Sequence, residues 1–269
     1  MAGHLPIHLD ILQAGIGKIE LRGQLFQLVR LQFQPGALWS GAHVFRHGES
    51  GAVVALSDDG GRYRADGQVD GAGGVFDPEG GWTAGLEFRE AEVAGTPIWP
   101  TGEAVRQEVS LPRSAWRQVL APGDPVLHLH IPAGSPMDFD ACGDSLRAAL
   151  EFFPRSFPDL AFRAFACSSW LLDAQLDGLL PATSNIARFQ REVYLLPGRG
   201  DGRSTLERVF GGVPADLRQA PRDTALRRAI LDHLLAGRHL RNGRCFLLPE
   251  DLDWGAQVYR RQPPMLLRS

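Results

Sequence analysis

The sequence predicts an α/β protein in which strands and helices share one core. Apolar and polar residues alternate through much of the first half, which is typical of half-buried strands. The second half changes to helical spacing between strand-like runs, in the order strand, helix, strand, helix. With 269 residues, of which 44% are hydrophobic, the chain is long enough for one large α/β domain or two small ones.

Strand-like segments dominate the first half. The run "KIELRGQLFQLVRLQF" at residues 18–33 predicts two strands or one bent strand, because Gly23 interrupts its alternation. Residues 58–81 are dense in Gly and Asp, which favours turns, so we interpret them as a surface excursion and a candidate lid. Shorter alternating runs follow, and the last clear strand is "VLHLHIP" at residues 126–132.

The first predicted helix follows this strand. It runs through "FDACGDSLRAALEFF" at residues 139–153, where apolar residues recur on one face. Asp138 or Asp140 can cap its start, since a carboxylate accepts hydrogen bonds from the unpaired amides of the first turn. Pro154 and Pro158 bracket its end.

Two more helices follow a strand in "AFRAFACSSWLLD" at residues 161–173. The first is "SNIARFQREV" at residues 184–193, and the second is the amphipathic "RDTALRRAILDHLLAG" at residues 222–237, closed by Gly237. The candidate caps are Ser184 or Asn185 for the first of these helices and Asp223 or Thr224 for the second.

Charge and cysteine content exclude several classes of protein. A formal net charge of -3 provides no basic field for nucleic acid or for an anionic membrane, so we expect neither partner. Three widely spaced cysteines without a CxxC pair indicate neither a disulfide framework nor a zinc site, and they fit a reducing compartment. No run approaches the roughly 20 apolar residues of a membrane span, and the start lacks the pattern of a signal peptide. We therefore expect a soluble, cytoplasmic protein.

The strand at residues 126–132 carries two histidines that are candidates for chemistry. The two-residue period places Val126, His128 and His130 on one face, and a Pro/Gly-rich break leads from this strand to the predicted helix. The amides and dipole at the start of that helix would favour an anion such as a phosphate. A structural role for the two histidines also stays open, because histidines on strands commonly form a hydrogen bond to a backbone group. A metal site would need a third ligand, and the nearby sequence supplies no obvious one.

Polar groups gather a second time in the segments "CSSWLLD" and "SNIARFQ". Ser168, Ser169, Trp170 and Asn185 stand at the ends of predicted elements, where their hydrogen-bonding groups can line a site. A serine pair on a strand and an Asn helix cap explain the same residues without a function, and that alternative stays open. The chain has no GxSxG elbow, which disfavours a Ser-His-Asp hydrolase, and its glycine runs lack the spacing of nucleotide-binding loops.

Several stretches together resemble one known family. They are "LRGQLFQLVRLQFQ" at residues 21–34, "VLHLHIPAG" at 126–134 and "SSWLLDAQLDGLLPATSNIARFQR" at 168–191, and the late "RDTALRRAILDHLLAGRH" is similar as well. The family they resemble is that of the bacterial acyltransferase-domain proteins with a GNAT-like C-terminal domain. The resemblance spans most of the chain.

The resemblance implies a GNAT-like mixed, mostly antiparallel sheet flanked by helices. In such a fold, a strand that ends in a splay, followed by a helix N-terminus, holds the pantetheine and diphosphate of an acyl-coenzyme A (acyl-CoA) co-substrate. Here that place is residues 126–144, with a strand-rich N-terminal half at 1–125 and the acyltransferase region at 126–269. The implied cofactor-binding residues are Ile131, Gly134, Ser135 and Phe139.

The chain departs from the family pattern in two places. The Q/R-x-x-G-x-G/A loop that binds the diphosphate is absent after Ile131, and the helical N-terminal domain of the family is missing or reduced to residues 1–19. Without the glycine loop, we expect Ser135 and a nearby arginine, Arg188 or Arg191, to supplement the helix N-terminus as phosphate ligands.

We therefore expect an acyl-CoA-dependent N-acyltransferase that acts on a small amine-containing acceptor. A neutral histidine or a carboxylate can deprotonate the amine, so the base candidates are His130, His128 and Glu108. We rank His130 first, because it lies nearest the break where the strand should open. The candidate acid is Tyr194. The residues expected to shape the acceptor site are Ser169, Trp170 and Asn185.

The alternative from another class is a non-catalytic GNAT-like module that binds a small ligand or a protein, and a hydrolase ranks third. Binding of CoA at micromolar concentration would favour the enzyme over the module. The sequence carries no signal for the acyl group, the identity of the acceptor or the oligomeric state.

Overall fold

The structure is a computed structural model that describes residues 21–22, 25–39 and 41–261. The predicted strand residues 18–20 and the predicted remnant of a helical domain at 1–19 lie outside the described residues. The strands are β1 (Leu21–Arg22), β2 (Leu25–Leu28), β3 (Leu31–Ala37), β4 (His43–His47), β5 (Val53–Leu56), β6 (Arg62–Tyr63), β7 (Trp82–Thr83), β8 (Leu86–Phe88), β9 (Glu92–Gly95), β10 (Pro97–Ile98), β11 (Val109–Pro112), β12 (Trp116–Leu120), β13 (Pro125–His130), β14 (Ala164–Ser169), β15 (Tyr194–Pro197) and β16 (Gly243–Leu247). The helices are α1 (Phe139–Ser156), α2 (Gln175–Leu179), α3 (Asn185–Glu192), α4 (Arg203–Phe210) and α5 (Ala225–Leu235), and short 3₁₀ helices cover Ala72–Gly74, Trp170–Leu172 and Pro249–Asp251.

Seven strands form the main sheet, in the order β1-β2-β3-β13-β14-β16-β15. β13 and β14 run parallel, and the other neighbouring pairs run antiparallel. The sheet combines strands from both halves of the chain, with β13 at its centre. This mixed, mostly antiparallel sheet with flanking helices confirms the predicted fold class. The division of the chain at residue 125 stays a prediction.

Helix α1 covers one face of the main sheet. Its Phe153 ring packs against Phe33 of β3 and Phe26 of β2, with ring centroids 6.1 Å and 5.4 Å apart. Phe33 in turn contacts Phe165 of β14 at 5.9 Å. These aromatic contacts join the helix to strands from both halves of the chain, and each large buried ring contributes about 1.5–3 kcal/mol of hydrophobic stabilisation.

The ends of α1 follow local chemistry. Asp138 Oδ1 accepts a hydrogen bond from the Ala141 amide at 2.8 Å, so Asp138 is the cap. The helix continues to Ser156, beyond the predicted residue 153, and its last turn includes Pro154. Because proline has no amide hydrogen, the carbonyl of Leu150 loses its helical partner, and the helix ends two residues after the proline.

Helices α3 and α5 begin where the sequence predicts. Ser184 Oγ accepts from the Ala187 amide at 3.2 Å, and Thr224 Oγ1 accepts from the Arg227 amide at 3.1 Å. In each predicted pair of caps, the hydroxyl residue is therefore the one used. Gly237, which follows α5, has a φ of 75°, a left-handed conformation that favours glycine after a helix.

Residues 38–124, which we call the insertion, fold into smaller sheets on the opposite face of the main sheet. These are a four-stranded sheet (β10-β5-β4-β12), a three-stranded sheet (β11-β9-β8) and the hairpin of β6 and β7. Tyr194 of β15 ties the insertion to the main sheet, since its hydroxyl donates to Ile98 O and accepts from Ala55 N at 3.2 Å. Both faces of the main sheet are therefore covered.

The segment at residues 58–81 is rich in turns, as predicted. It includes β6 and a short 3₁₀ helix, and the Gly73 amide donates to Gly200 O at 2.5 Å. Gly73 has a φ of 67°, and a side chain there would collide with Leu240 O. The tip of the segment thus contacts the connection between β15 and β16. Its role as a lid stays a prediction.

Two further observations concern the membrane and the thiols. None of the helices in the described ranges is long and apolar enough to cross a membrane. Cys142, Cys167 and Cys245 are buried free thiols. Burial raises the pKa of Cys142 to about 11 and that of Cys167 to about 12, so both thiols stay protonated at neutral pH and are poor nucleophiles.

Candidate functional site

The parallel strands β13 and β14 separate at their carboxyl ends. Their paired residues run from Val126 and Ala164 to His128 and Ala166, where the pairing stops. β13 continues to His130 along β3, whereas β14 continues along β16. A gap, which we call the splay, therefore opens at the edge from which the chain passes to α1. Strand edges without a partner expose backbone N–H and C=O groups, so the splay offers hydrogen bonds to an extended ligand.

The two histidines lie on the face of the sheet that the insertion covers. As the two-residue period predicts, Leu127 and Leu129 are buried on the other face, towards α1. His128 is half-buried, and His130 is exposed at the end of β13. Their partners on β3 are Gln34 and Gln32, so one rim of the splay carries several polar side chains.

His128 has a well-defined packed environment. Its Nε2 lies 3.0 Å from Ala37 O, and its ring stacks on Trp39 with centroids 5.0 Å apart and an interplanar angle of 24°. Because a carbonyl only accepts, Nε2 carries the hydrogen of this bond. A side chain at Gly36 would come within 2.7 Å of the His128 ring, so the glycine makes room for it.

His130 is more accessible. Its Nε2 lies 3.1 Å from Gln34 Oε1, and its Nδ1 makes no hydrogen bond within the described part of the chain. Partial burial of the ring, together with the neighbouring His128, lowers the pKa of His130. The ring is therefore neutral near pH 7 and can accept a proton.

Glu108 and Tyr194 lie away from the histidines. Glu108 is exposed just before β11, in the three-stranded sheet of the insertion. In the register of the main sheet, Tyr194 pairs with Phe246, Phe246 with Ala166, and Ala166 with His128. Tyr194 is therefore three strand spacings from His128, or about 14 Å. Burial raises the pKa of the Tyr194 phenol, and its hydroxyl is engaged by the insertion. The structure does not bring these side chains together with the histidines.

The expected cofactor-binding residues border the surface between β13 and α1. Gly134 and Ser135 are exposed, Ile131 is half-buried, and Phe139 is buried as the first residue of α1. Gly134 has a φ of 95°, a conformation that favours glycine. This segment is thus open to solvent, as a phosphate site at the helix start requires.

Phe139 contacts two large side chains. The Arg188 guanidinium of α3 lies 3.7 Å from the centre of its ring, and Trp254 stacks on the ring at 5.0 Å while donating from Nε1 to Phe139 O at 2.9 Å. Helix α3 therefore leans towards the start of α1, which the expected role of Arg188 requires. Arg191 instead pairs with Asp177 at 2.7 Å.

The residues expected to shape the acceptor site are all half-buried. Ser169 ends β14, and its Oγ accepts from the Leu171 amide at 3.2 Å. Trp170 begins the 3₁₀ helix that follows. Asn185 is the first residue of α3, where Ser184 serves as the cap, so the amide side chain of Asn185 is not needed for capping. Their role in binding stays a prediction.

A cavity that the sequence did not indicate lies at the same edge of the sheet. Its volume is about 390 Å³, and its walls come from residues 64–77, from Gln175 after β14 and from the segment before β16. Arg241 in this cavity is 11% exposed, and its side chain donates no hydrogen bond to the described residues. Its nearest carboxylates are Asp173 at 3.5 Å and Asp66 at 3.6 Å. Three distant segments form the cavity, and none of them carries a motif.

The central parallel pair, splayed beside a helix start in a mostly antiparallel sheet, defines a GNAT-type fold. Residues 25–247 match the model of the family described as the GNAT-like C-terminal domain. This match covers most of the chain, which therefore belongs to that family. The match confirms the resemblance stated from the sequence.

Solved acyltransferase structures are also similar to the chain. One in complex with decanoyl-CoA is 32% identical over 61% of this chain and 46% of its own, with a TM-score of 0.44. Another, in complex with CoA and 10C-teicoplanin, is 28% identical over 59% of this chain and 46% of its own, with a TM-score of 0.44. A mutant in complex with octanoyl-CoA is 30% identical, with coverages of 61% and 46% and a TM-score of 0.44. The chain thus spans about half the length of these proteins, and no curated protein matches it.

Proposed function

We propose that this chain carries the acyl-CoA site of an N-acyltransferase that acylates a small amine. The observation that carries the proposal is the splay, because β13 and β14 lose their pairing after His128 and Ala166, directly before the segment that leads to α1. The pantetheine arm of acyl-CoA is an extended chain with amide groups, which can pair with the open strand edges. The thioester would then reach the face that carries the histidines.

In the proposed reaction, the amine nitrogen of the acceptor attacks the thioester carbonyl. A carbon–nitrogen bond forms and the carbon–sulfur bond breaks. The amine proton passes to a base, and the CoA thiolate takes up a proton. The acceptor must react as the free amine, because an ammonium group has no lone pair.

His130 is the base in this proposal. Its Nε2 is occupied by Gln34, so Nδ1 is left to take the proton. Its exposed position at the splay would let a substrate amine come within hydrogen-bond distance. His128 ranks second, because its ring is half-buried and stacked. The proposal gives no proton-transfer role to Glu108 or Tyr194, since neither side chain borders the splay.

The CoA diphosphate would lie at the start of α1. The first amides of a helix have no partner within it, and the helix dipole favours a negative charge there. Gly134 and Ser135 border this place and are exposed. Arg188 brings a positive charge to the Phe139 ring and forms no ion pair with a carboxylate among the described residues. These features support a phosphate site despite the missing glycine loop.

The acceptor would bind on the β16 side of the splay. Ser169 ends β14 at the splay, and Trp170 begins the 3₁₀ helix that leads towards Gln175 in the cavity wall. We assign these two residues, with Asn185 at the start of α3, to an acceptor that extends into the cavity. The unbonded Arg241 guanidinium would donate to oxygen atoms of the acceptor. Carboxylates already balance its charge, which favours hydroxyl or carbonyl oxygens over an anionic group.

Product analysis tests the proposal. The chain is mixed with decanoyl-CoA, the ligand of a similar acyltransferase, and with a panel of simple amines, and free thiol and acylated amine are both measured. We expect the two products in equal amounts. Thiol without acylated amine would indicate a hydrolase. CoA binding with neither product would favour the alternative, a non-catalytic binding module.

A further inference from the structure

We infer that Arg30 positions the loop that would bind the CoA diphosphate, and that it replaces the absent glycine motif. The inference rests on the proposed function, because it concerns the same site. We call residues 131–138, between β13 and α1, the diphosphate loop. Arg30 lies far away in sequence, in the two-residue turn between β2 and β3.

Three carbonyl oxygens of the diphosphate loop point at one guanidinium. Arg30 Nη2 donates to Pro132 O and Ser135 O, and Arg30 Nε donates to Pro136 O, each at 2.9 Å. A guanidinium is planar and presents its donors in a fixed fork, so it holds three acceptors in one arrangement. The conformation of the loop is thereby set from a different strand pair.

Two of these three contacts also fix the direction of backbone N–H groups in the loop, because the peptide bond is planar. In a planar trans peptide, the carbonyl oxygen and the following N–H point in opposite directions. The carbonyls of Pro132 and Pro136 face Arg30, so the amides of Ala133 and Met137 face away from it. Neither amide donates a hydrogen bond within the ranges that the structure describes. Both are therefore available to an anion on the open side of the loop.

The composition of the loop explains why it needs such support. Glycine-rich phosphate loops let the backbone approach the phosphate and present consecutive amides. This loop has prolines at 132 and 136, which lack amide hydrogens. Only a few amides remain, so their direction must be controlled from outside the loop.

Arg30 is itself held in place by α1. Ser145 Oγ accepts from the amides of Arg30 and Leu31 at 2.9 Å and 3.1 Å, and it donates to Ala141 O at 2.7 Å. Ser145 is fully buried. The turn, the diphosphate loop and the first turns of α1 therefore form one connected unit.

The positive charge of Arg30 also favours an anion at the diphosphate loop. Among the residues that the structure describes, no carboxylate forms an ion pair with Arg30, and its guanidinium donates to carbonyl oxygens. A positive charge behind the loop would raise the potential at the amides that face the diphosphate. Arg30 would thus favour the anion without touching it.

Calorimetric binding of two ligands tests this positioning role. CoA contains the diphosphate, whereas pantetheine contains only the arm that would enter the splay. Arg30→Met keeps a long side chain but removes the donors, and we expect it to weaken CoA binding about tenfold, as when a hydrogen bond to a charged group is lost. Pantetheine affinity should stay unchanged. Arg30→Lys, which keeps the charge but not the fork, should give an intermediate loss for CoA.

Arg147→Met is the matched control, because Arg147 is an exposed arginine of α1 whose guanidinium pairs with the exposed Asp144. It should leave both affinities unchanged. If Arg30→Met retains the CoA affinity, or loses affinity equally for CoA and pantetheine, the proposed role of Arg30 is overturned but the proposed function is not. Failure of the native chain to bind CoA would overturn the proposed function as well. If Arg30→Met does not fold, the comparison of the two ligands in Arg30→Lys decides.

Discussion

Replacing Ser145 by alanine should destabilise the protein, because the serine hydroxyl is the hydrogen-bond partner of the Arg30 amide. Ser145 Oγ accepts from the Arg30 amide, which has no other hydrogen-bond partner among the described residues, and from the Leu31 amide, whose residue also pairs with Leu28 in the β2–β3 ladder. An unsatisfied buried amide costs about 1–3 kcal/mol. The Arg30 amide is partly buried and the Leu31 amide keeps its ladder partner, so we expect a loss of about 1–3 kcal/mol.

Urea unfolding at pH 7, followed by tryptophan fluorescence and circular dichroism, measures this loss. Ser110→Ala is the control, because Ser110 is exposed and its hydroxyl bonds the half-buried carboxylate of Glu92 rather than a buried backbone group. It should change the free energy of unfolding by less than about 0.5 kcal/mol. Ser145→Ala should also weaken CoA binding, since the turn that carries Arg30 would loosen.

A loss below about 1 kcal/mol for Ser145→Ala, with an unchanged denaturant slope, would refute the argument. It would mean that water or a small shift of the turn satisfies the Arg30 amide. The connection between α1 and the diphosphate loop would then be weaker than the hydrogen bonds indicate.

Three further predictions concern strain, proton transfer and the buried tyrosine. Val29 has a φ of 54°, which a β-branched residue rarely adopts, so Val29→Gly should raise the free energy of unfolding by up to about 1 kcal/mol in the same assay. Because the pKa of His130 is lowered, protonation of its imidazole should reduce the proposed transfer rate only below the ordinary value of 6.5. When the rate is expressed per free amine at each pH, this loss should be absent in His130→Ala, as a pH–rate profile would reveal. Tyr194→Phe removes one hydrogen-bond partner from Ala55 N and one from Ile98 O and should cost about 1–3 kcal/mol of stability, with turnover per folded molecule unchanged. A tenfold fall in that turnover would instead assign the phenol to the chemistry.

The elements around the splay could be predicted from the sequence because their signals are local. The period of two in β13, the Pro/Gly break and the period of 3.6 with the Asp138 cap lie within a few turns of chain, and the structure keeps all three. The same holds for the caps Ser184 and Thr224. The exposed position of His130 followed from its place beside the break.

The rest depends on contacts between distant residues. The strands of the insertion are two to five residues long, which is too short for an alternation of apolar and polar residues to be recognised in the sequence. Arg30 meets the diphosphate loop across a separation of more than a hundred residues, and nothing in its turn marks it as a loop-binding residue. The cavity at Arg241 is likewise assembled from three segments that only the fold brings together.

Hydrogen exchange with and without decanoyl-CoA tests the central claim most directly, because it locates the ligand without assuming catalysis. If acyl-CoA binds in the splay, amide exchange should slow at residues 130–141 and 166–170 and stay unchanged in the remote three-stranded sheet of β8, β9 and β11. Binding of decanoyl-CoA with protection at neither segment would contradict the account.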